Sequence, residues 1–303
     1  MLNIFGLIFG LILLVKGADI FVDNASSFAK RLKIPSIIVA MTIVSFGTSA
    51  PEFAISVTSS LEGLNDMSIA NVVGSNIFNL LAILGMSSII SKLKITNYKD
   101  VFVLLGTCML LLLFAIDGSL SLFDGAILLV IFIIYMFNMI KKAKENKVEE
   151  KVEKQKSLWL TIILSLLGLL AIVWGGNLTV DSASAIANKF GISQNLIAIT
   201  ICSIGSSLPE FVTSFIATKK GELDIAIGNV LGSNIFNILL ILGCASVINP
   251  MVVSTVALMD VLFMVISVAL FVLVTYKNKT VSKKLGIPMV LAYVLYIIIT
   301  IIR

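Results

Sequence analysis

Histidine is absent from this 303-residue sequence, and only 13% of its residues are charged. The lack of histidine removes the commonest transition-metal ligand and the commonest proton carrier near neutral pH. Only three cysteines occur, Cys108, Cys202 and Cys244, and their positions in apolar sequence indicate neither a disulfide framework nor a metal-ligand spacing. Soluble proteins are about a quarter charged, so this composition is not that of a soluble protein.

Apolar residues fill 58% of the sequence, and the mean hydropathy is +1.09. Runs long enough to cross a bilayer as helices recur throughout, so we expect an all-α polytopic membrane protein in a lipid bilayer. The first run has neither a basic leader nor a small-residue cleavage site, so we interpret it as a span and not as a signal peptide. The ten predicted transmembrane helices lie at roughly 3–22, 35–60, 67–90, 100–116, 120–140, 158–180, 194–218, 225–248, 253–275 and 286–302.

Two stretches of the chain are near copies of each other. The first motif, residues 45–85, contains FGTSAPEFAIS and NVVGSNIFNLLAILG, and the second motif, residues 203–243, contains IGSSLPEFVTS and NVLGSNIFNILLILG. Matched positions differ by 158 residues without a gap, from Gly17 and Gly175 to Asn79 and Asn237. An unbroken register of this length indicates an internal duplication.

The duplication divides the chain into a first repeat at 1–140, a linker at 141–157 and a second repeat at 158–303. Each repeat holds five predicted spans, and an odd number makes the second repeat enter the membrane from the opposite side. We therefore expect two inverted-topology five-helix repeats whose motifs meet near the bilayer midplane. The linker is short and mixed in charge, which favours a solvated connection over a regulatory loop.

The basic residues lie mainly on one predicted side of the membrane. With the N-terminus outside, the inner loops hold 19 of the 22 lysines and arginines. The positive-inside rule therefore predicts a cell-membrane protein with both termini extracellular and the central loop cytoplasmic. Because these residues are spread over several loops and form no single basic patch, nucleic acid is not an expected partner.

Each motif places one glutamate, Glu52 or Glu210, inside apolar sequence. A carboxylate at bilayer depth is costly, so it marks a functional site by default. Helical spacing puts hydroxyl side chains on or beside the same face as each glutamate. These are Ser45, Thr48 and Ser49 in the first motif and Ser203, Ser206 and Ser207 in the second.

A proline, Pro51 or Pro209, directly precedes each glutamate. Proline lacks the N–H that would bond the carbonyl four residues earlier, which predicts a kink and free carbonyls at Gly47 and Gly205. A plain structural kink would explain the prolines, but here each coincides with a glutamate and hydroxyls.

A second polar stripe follows in the third and eighth predicted spans, with side chains four residues apart. Its members are Asn71, Ser75 and Asn79 and their matches Asn229, Ser233 and Asn237. Asn71 and Asn229 are also explained as polar glue between helices. Asn76 and Asn234 lie off the stripe and are expected to brace neighbouring backbone.

Together the motifs offer carboxylate, hydroxyl, amide and carbonyl oxygens, which hard cations such as Ca²⁺ prefer. Two glutamates neutralise one divalent ion, and Na⁺ also seeks oxygen. A site shared by the two ions makes their binding mutually exclusive, which is the basis of exchange. These ions are substrates, and no cofactor is expected.

At these residues the chain resembles the Ca²⁺/cation antiporter superfamily, in particular the prokaryotic sodium/calcium exchangers. The resemblance rests on GTSAPE with GSNIFN and on GSSLPE with GSNIFN, and it extends over nearly the whole chain. It implies electrogenic exchange of Na⁺ for Ca²⁺ by alternating access, with the first and sixth helices sliding across the rest.

The resemblance also implies a set of ligands. Glu52 and Glu210 correspond to the central ligands, and Ser45 and Ser203 to positions that offer backbone carbonyls to Na⁺. The hydroxyl, carbonyl and flanking-helix ligands correspond to Thr48, Ser49, Ser206, Ser207, Ser75, Ser233, Asn79 and Asn237. Some relatives carry aspartate at the position of Asn237, which is linked to K⁺ use in potassium-dependent members, so asparagine here argues against K⁺ dependence.

Other functions stay open at this point. Proton-coupled Ca²⁺ antiport ranks second. An intramembrane hydrolase would need one carboxyl with a raised pKa, and a passive channel is disfavoured by inverted repeats. The chain is expected to be a non-enzymatic transporter, and a self-contained two-repeat fold makes a monomer the expected state.

Overall fold

The computed structural model describes residues 2–145, 157–191 and 203–302 of the chain. Helices dominate, as expected from the apolar runs. The first repeat contains α1 (Leu2–Leu32), α2 (Ser36–Val39), the π-helix π1 (Ala40–Val44), α3 (Ser45–Thr48), α4 (Ala50–Leu61), α5 (Asn65–Ile77), π2 (Phe78–Ile83), α6 (Leu84–Ile90), β1 (Leu93–Lys94), α7 (Tyr98–Ala115), β2 (Ser119–Leu120) and α8 (Leu122–Glu145).

The second repeat follows a similar order in its described part. It contains α9 (Leu158–Lys189), α10 (Ser203–Gly205), α11 (Leu208–Lys219), α12 (Leu223–Phe236), π3 (Asn237–Leu242), α13 (Gly243–Ile248), β3 (Met251–Val252), α14 (Thr255–Thr275), β4 (Thr280–Val281) and α15 (Lys283–Ile302). Gly63 and Gly221, which match each other, close α4 and α11 with φ of +75° and +78°, a conformation that glycine adopts without steric cost.

Eight helices in the described ranges are long and apolar enough to cross a membrane, and a ninth span results if a bent pair counts as one. The bent pair joins Ser36–Thr48 to Ala50–Leu61 at an angle of 50°, which confirms the kink predicted before Glu52. The predicted span 194–218 overlaps residues 192–202, which lie outside the described part of the chain. The count of ten therefore stays a prediction.

Helices α1 and α9 pack against each other in opposite directions through glycine. A Cβ atom at Gly17 would lie 2.8 Å from the carbonyl oxygen of Gly168, and one at Gly175 would lie 2.7 Å from that of Gly10. No side chain fits at these distances, so the two backbones approach as closely as helices in membranes do at small residues.

Two short antiparallel strand pairs connect the repeats. β1 pairs with β4, with Leu93 opposite Val281, and β2 pairs with β3, with Leu120 opposite Met251. The segments from α5 to α6 and from α12 to α13 are mostly buried, whereas α1, α8, α9 and α15 expose large apolar side chains. The polar motifs thus lie at the centre of a helical shell with an apolar exterior.

Candidate functional site

Glu52 and Glu210 are both completely buried, each in the first turn of a helix that has a proline at its second residue. Pro51 and Pro209 lie in the first turns of α4 and α11, directly after the breaks at Ser49 and Ser207. The positive end of the helix dipole stabilises a carboxylate in this position. The sequence thus places both acidic groups at helix starts in the core of the molecule, where their charges act on each other.

Each glutamate is bonded by the serine of the other repeat. The Ser49 hydroxyl donates to Oε1 of Glu210 at 2.9 Å, and the Ser207 hydroxyl donates to Oε1 of Glu52 at the same distance. Since Ser49 matches Ser207 and Glu52 matches Glu210, the two bonds are equivalent under the duplication. The predicted carboxylates and their serines therefore form one site.

The second stripe joins the same site. The Ser75 hydroxyl lies 3.3 Å from Oε1 of Glu52 and 2.9 Å from the Ser207 hydroxyl, and it accepts a 3.1 Å hydrogen bond from the Asn237 amide. Ser233, the match of Ser75, is fully buried. The structure thus brings Ser75 and Asn237 together with Glu52, as predicted.

Five oxygen atoms of predicted site residues are buried and have no hydrogen-bond partner within the described part of the chain. They are Oε2 of Glu52, Oε2 of Glu210, Oδ1 of Asn79, Oδ1 of Asn237 and Oγ of Ser233. An unsatisfied buried acceptor costs about 1–3 kcal/mol, and more when it is charged. The lone pairs of these five oxygens are therefore available to bind a cation, which would offset the cost of leaving them unbonded.

The remaining predicted hydroxyls make other contacts. Thr48 donates to Oδ1 of Asn229 at 3.0 Å, and Ser206 donates to Oδ1 of Asn71 at 3.3 Å. Ser45 donates to the backbone carbonyl of Ala40 at 2.7 Å. The side chain of Ser203 lies outside what the structure describes.

Asn71 and Asn229 hold the glutamate backbones in place. The Asn71 amide donates to the carbonyl of Glu52 at 3.2 Å, and the Asn229 amide donates to that of Glu210 at 3.3 Å. Each asparagine amide also donates to a serine on the helix that carries the glutamate, Ser56 for Asn71 and Ser214 for Asn229. Both residues lie on the polar stripe but are not among the predicted ligands, and their contacts give them a bracing role beside the site.

One backbone detail differs from the prediction. An N–H at the end of α3 donates to the Gly47 carbonyl, so this oxygen has a backbone partner even though Pro51 lacks a donor. The chain turns at Ser49, where φ is −81° and ψ is 9°. This turn supplies the missing partner.

A cavity of about 110 Å³ adjoins the site at Ser49. It is otherwise apolar, with Phe46, Phe53 and Phe236 among its lining residues. The cavity brings open space next to a hydroxyl that bonds Glu210.

The donor set is specific in its chemistry. Within the described ranges, no group of three or more histidine, cysteine, aspartate or glutamate side chains is placed to hold a metal. Carboxylate, hydroxyl and amide oxygens suit hard cations such as Ca²⁺, whereas transition metals favour imidazole and thiolate. These features define a polytopic helical membrane protein whose core holds a cluster of carboxylate, hydroxyl and amide oxygens, a candidate site for a hard cation.

Comparison with known proteins agrees with this class. The chain matches the family described as "Sodium/calcium exchanger protein" over residues 2–141 and 160–302. It is 36% identical to inner membrane protein YrbG of Escherichia coli over 261 residues, 80% of this chain and 79% of the relative. It is 29% identical to sodium/calcium exchanger MaX1 of Methanosarcina acetivorans, over 98% of both chains.

A solved structure of the sodium-calcium exchanger NCX_Mj, soaked with Na⁺ and Sr²⁺, superposes with a TM-score of 0.88. The two chains are 31% identical, and the match covers 98% of this chain and 97% of the other. The chain therefore belongs to the sodium/calcium exchanger family. It is a multi-pass membrane transporter, a cation/Ca²⁺ antiporter and not an enzyme, and the ions are its substrates.

Proposed function

We propose that the protein exchanges Na⁺ for Ca²⁺ by alternating access, electrogenically and without K⁺. The observation that carries this proposal is the reciprocal pair of serine–glutamate bonds, which leaves the second carboxylate oxygen of Glu52 and of Glu210 buried and without a hydrogen-bond partner in the described part of the chain. Two relatives, MaX1 and NCX_Mj, are named as sodium/calcium exchangers.

The ligand set supports competition between the two ions. Two carboxylates balance the charge of one Ca²⁺, which takes six to eight oxygens in flexible geometry. The proposed ligands are the side chains or carbonyls of Glu52, Glu210, Ser45, Thr48, Ser49, Ser75, Asn79, Ser203, Ser206, Ser207, Ser233 and Asn237. Because Ca²⁺ and Na⁺ would use the same carboxylates, one ion must leave before the other is fully bound.

We also propose that repeats 1–140 and 158–303 are inverted around this site, joined by the linker 141–157. Reciprocal bonds between matched residues support a two-fold relation, as do the two strand pairs between repeats. The excess of basic residues in alternate loops supports extracellular termini and a cytoplasmic linker. Alternating access then follows from exchanging the conformations of the two repeats.

Independence from K⁺ rests on Asn237. Its amide is neutral and its Nδ2 is already bonded to Ser75 and Asn76. The site thus carries the charge of two carboxylates and no third acid among the described residues. A further monovalent cation beside Ca²⁺ would have no added negative charge to balance it.

The test is ⁴⁵Ca²⁺ uptake into proteoliposomes containing the purified full chain. We expect uptake with Na⁺ inside and none with K⁺ inside, uptake unchanged by external K⁺, and faster uptake when a membrane potential drives the net charge outward. Uptake with an acidic interior alone would replace Na⁺ by H⁺ as the coupling ion. Absence of uptake under every gradient would overturn Ca²⁺ exchange.

A further inference from the structure

Asn76 and Asn234 face each other at the centre of the molecule. Each is only 1% exposed. The amide of Asn76 donates to the backbone carbonyl of Asn234 at 3.1 Å, and the amide of Asn234 donates to that of Asn76 at 3.2 Å. These matched residues from the two motifs therefore bond α5 directly to α12.

These backbone bonds fix which way each amide points. Because Nδ2 of Asn76 and of Asn234 must donate to a carbonyl, the Oδ1 atom of each is turned towards other partners. Oδ1 of Asn76 accepts from Asn237 at 3.0 Å, and Oδ1 of Asn234 accepts from Asn79 at 3.0 Å. The partner comes from the opposite repeat in both cases.

The second pair of asparagines is oriented in turn. Asn79 lies in the first turn of π2, which follows α5. Asn237 is the first residue of π3, which follows α12. Since Nδ2 of each is bonded to the fixed Oδ1, its own Oδ1 is left buried, with no hydrogen-bond partner among the residues that the structure describes. If either amide flipped, two carbonyl oxygens would face each other and both would lose a hydrogen bond.

We propose that Asn76 and Asn234 are positioning residues that present the amide oxygens of Asn237 and Asn79, respectively, to the transported cation. This inference rests on the proposed function, because it assumes that Asn79 and Asn237 are ligands. The arrangement is crossed: Asn76 orients the ligand of the second repeat, and Asn234 orients that of the first. Neither positioning residue contacts the ion.

The crossed arrangement gives a test that a general packing role would not pass. Cation binding to the purified full chain in detergent is measured by calorimetry for single and double alanine substitutions. We expect Asn76→Ala to weaken Ca²⁺ binding about ten-fold, close to one lost hydrogen bond. It should have almost no further effect in an Asn237→Ala background.

The pair on the same helix is the internal control. Asn76→Ala and Asn79→Ala should act additively, although these residues lie one turn apart, because Asn79 is bonded to Asn234. Asn234→Ala should likewise couple to Asn79→Ala and not to Asn237→Ala. Ser246→Ala, which removes a buried bond to the carbonyl of Leu242, should leave Ca²⁺ binding unchanged.

Asn76→Ser and Asn234→Ser serve if alanine prevents folding. Serine keeps a hydroxyl for the nearby backbone carbonyl and withdraws the acceptor from the ligand asparagine, so the same coupling pattern is expected. Additive effects in the crossed pairs, or equal coupling within one helix, would overturn the inference. Wild-type chain that binds none of Ca²⁺, Sr²⁺ and Na⁺ would overturn the proposed function together with it.

Discussion

The Ser49 hydroxyl donates a 2.9 Å hydrogen bond to Glu210, a residue of the other repeat. The matched bond from Ser207 to Glu52 has the same length. Each acidic group thus accepts a hydrogen bond from a serine of the opposite repeat. A change in the relative position of the two repeats must therefore change the hydrogen bonding of both carboxylates together.

Neutralising either buried acid is expected to abolish Ca²⁺ uptake. Glu52→Gln or Glu210→Gln removes half of the negative charge that balances a divalent ion. An uncompensated buried charge costs about 3 kcal/mol, which corresponds to a loss of Ca²⁺ affinity of at least about 100-fold. The measurement is ⁴⁵Ca²⁺ flux. Glu62→Gln, at an exposed turn, is the matched control and should retain wild-type flux; normal flux in both core variants would remove these residues from the site.

Removing the crossed serine donors should weaken Ca²⁺ binding in either repeat to a similar degree. Hydrogen bonds to charged groups contribute about 1.5–3 kcal/mol, so Ser49→Ala and Ser207→Ala should each raise the Ca²⁺ concentration for half-maximal uptake by about ten-fold or more. Ser60→Ala is the control on the same helix as Glu52, since the Ser60 hydroxyl donates to the backbone carbonyl of Ala245 at 2.7 Å. Effects confined to one serine would contradict an equivalent role.

A methyl group between α1 and α9 should destabilise the protein. In Gly175→Ala the added Cβ would lie 2.6 Å from the backbone nitrogen of Leu14, so the helices must separate, at a cost of about 1–3 kcal/mol. Thermal unfolding in detergent should show a lower midpoint. Gly106→Ala, where no atom from elsewhere in the described part of the chain lies within 4 Å of the added group, should unfold at or above the wild-type midpoint. Equal midpoints for the two variants would contradict the close backbone contact.

Lys220, in the turn after α11, forms ion pairs with two aspartates of α1. Lys220 Nζ lies 2.7 Å from Asp19 and 2.6 Å from Asp23. Lys220→Met should lower the unfolding midpoint by the equivalent of about 1 kcal/mol, and less at high salt. Lys219→Met is the neighbouring control, because Lys219 lies over the ring of Phe215 instead. A salt-independent effect would show that packing, and not charge, is responsible.

The pH dependence of this contribution follows from the pKa of Lys220. Burial lowers it, but the hydrogen bonds to Asp19 and Asp23 outweigh burial and raise the pKa above the ordinary 10.5. A raised pKa in the folded state stabilises the protein fully below the ordinary value, and the benefit is lost as pH rises through the raised pKa. The difference between wild type and Lys220→Met should therefore be constant from about pH 6 to 9 and shrink above about pH 10.5.

Much of the site could be predicted because it is built from local patterns. The glutamates, the serines one turn before them and the prolines repeat at a fixed offset, and helical spacing alone places each set on one face. The kink at Pro51 follows from the chemistry of proline, and the structure confirms a 50° bend there.

The rest depends on contacts between distant parts of the chain. Asn76 and Asn237 are 161 residues apart, and nothing near either residue shows which amide the other meets. The π-helical turns at Asn79 and Asn237 likewise have no local signal, since the same sequence is compatible with an α-helix. The partner of the Gly47 carbonyl comes from a turn whose geometry the sequence does not specify.

The reciprocal serine–glutamate bonds also bear on ancestry. In each repeat the serine donates to the glutamate of the other repeat, and the glutamate accepts from the serine of the other repeat. A single repeat on its own could therefore form neither bond. One unit before the duplication would have needed a second copy to complete these bonds. The present chain is in this respect a dimer whose two subunits have been fused, and its linker replaces the chance encounter of two molecules.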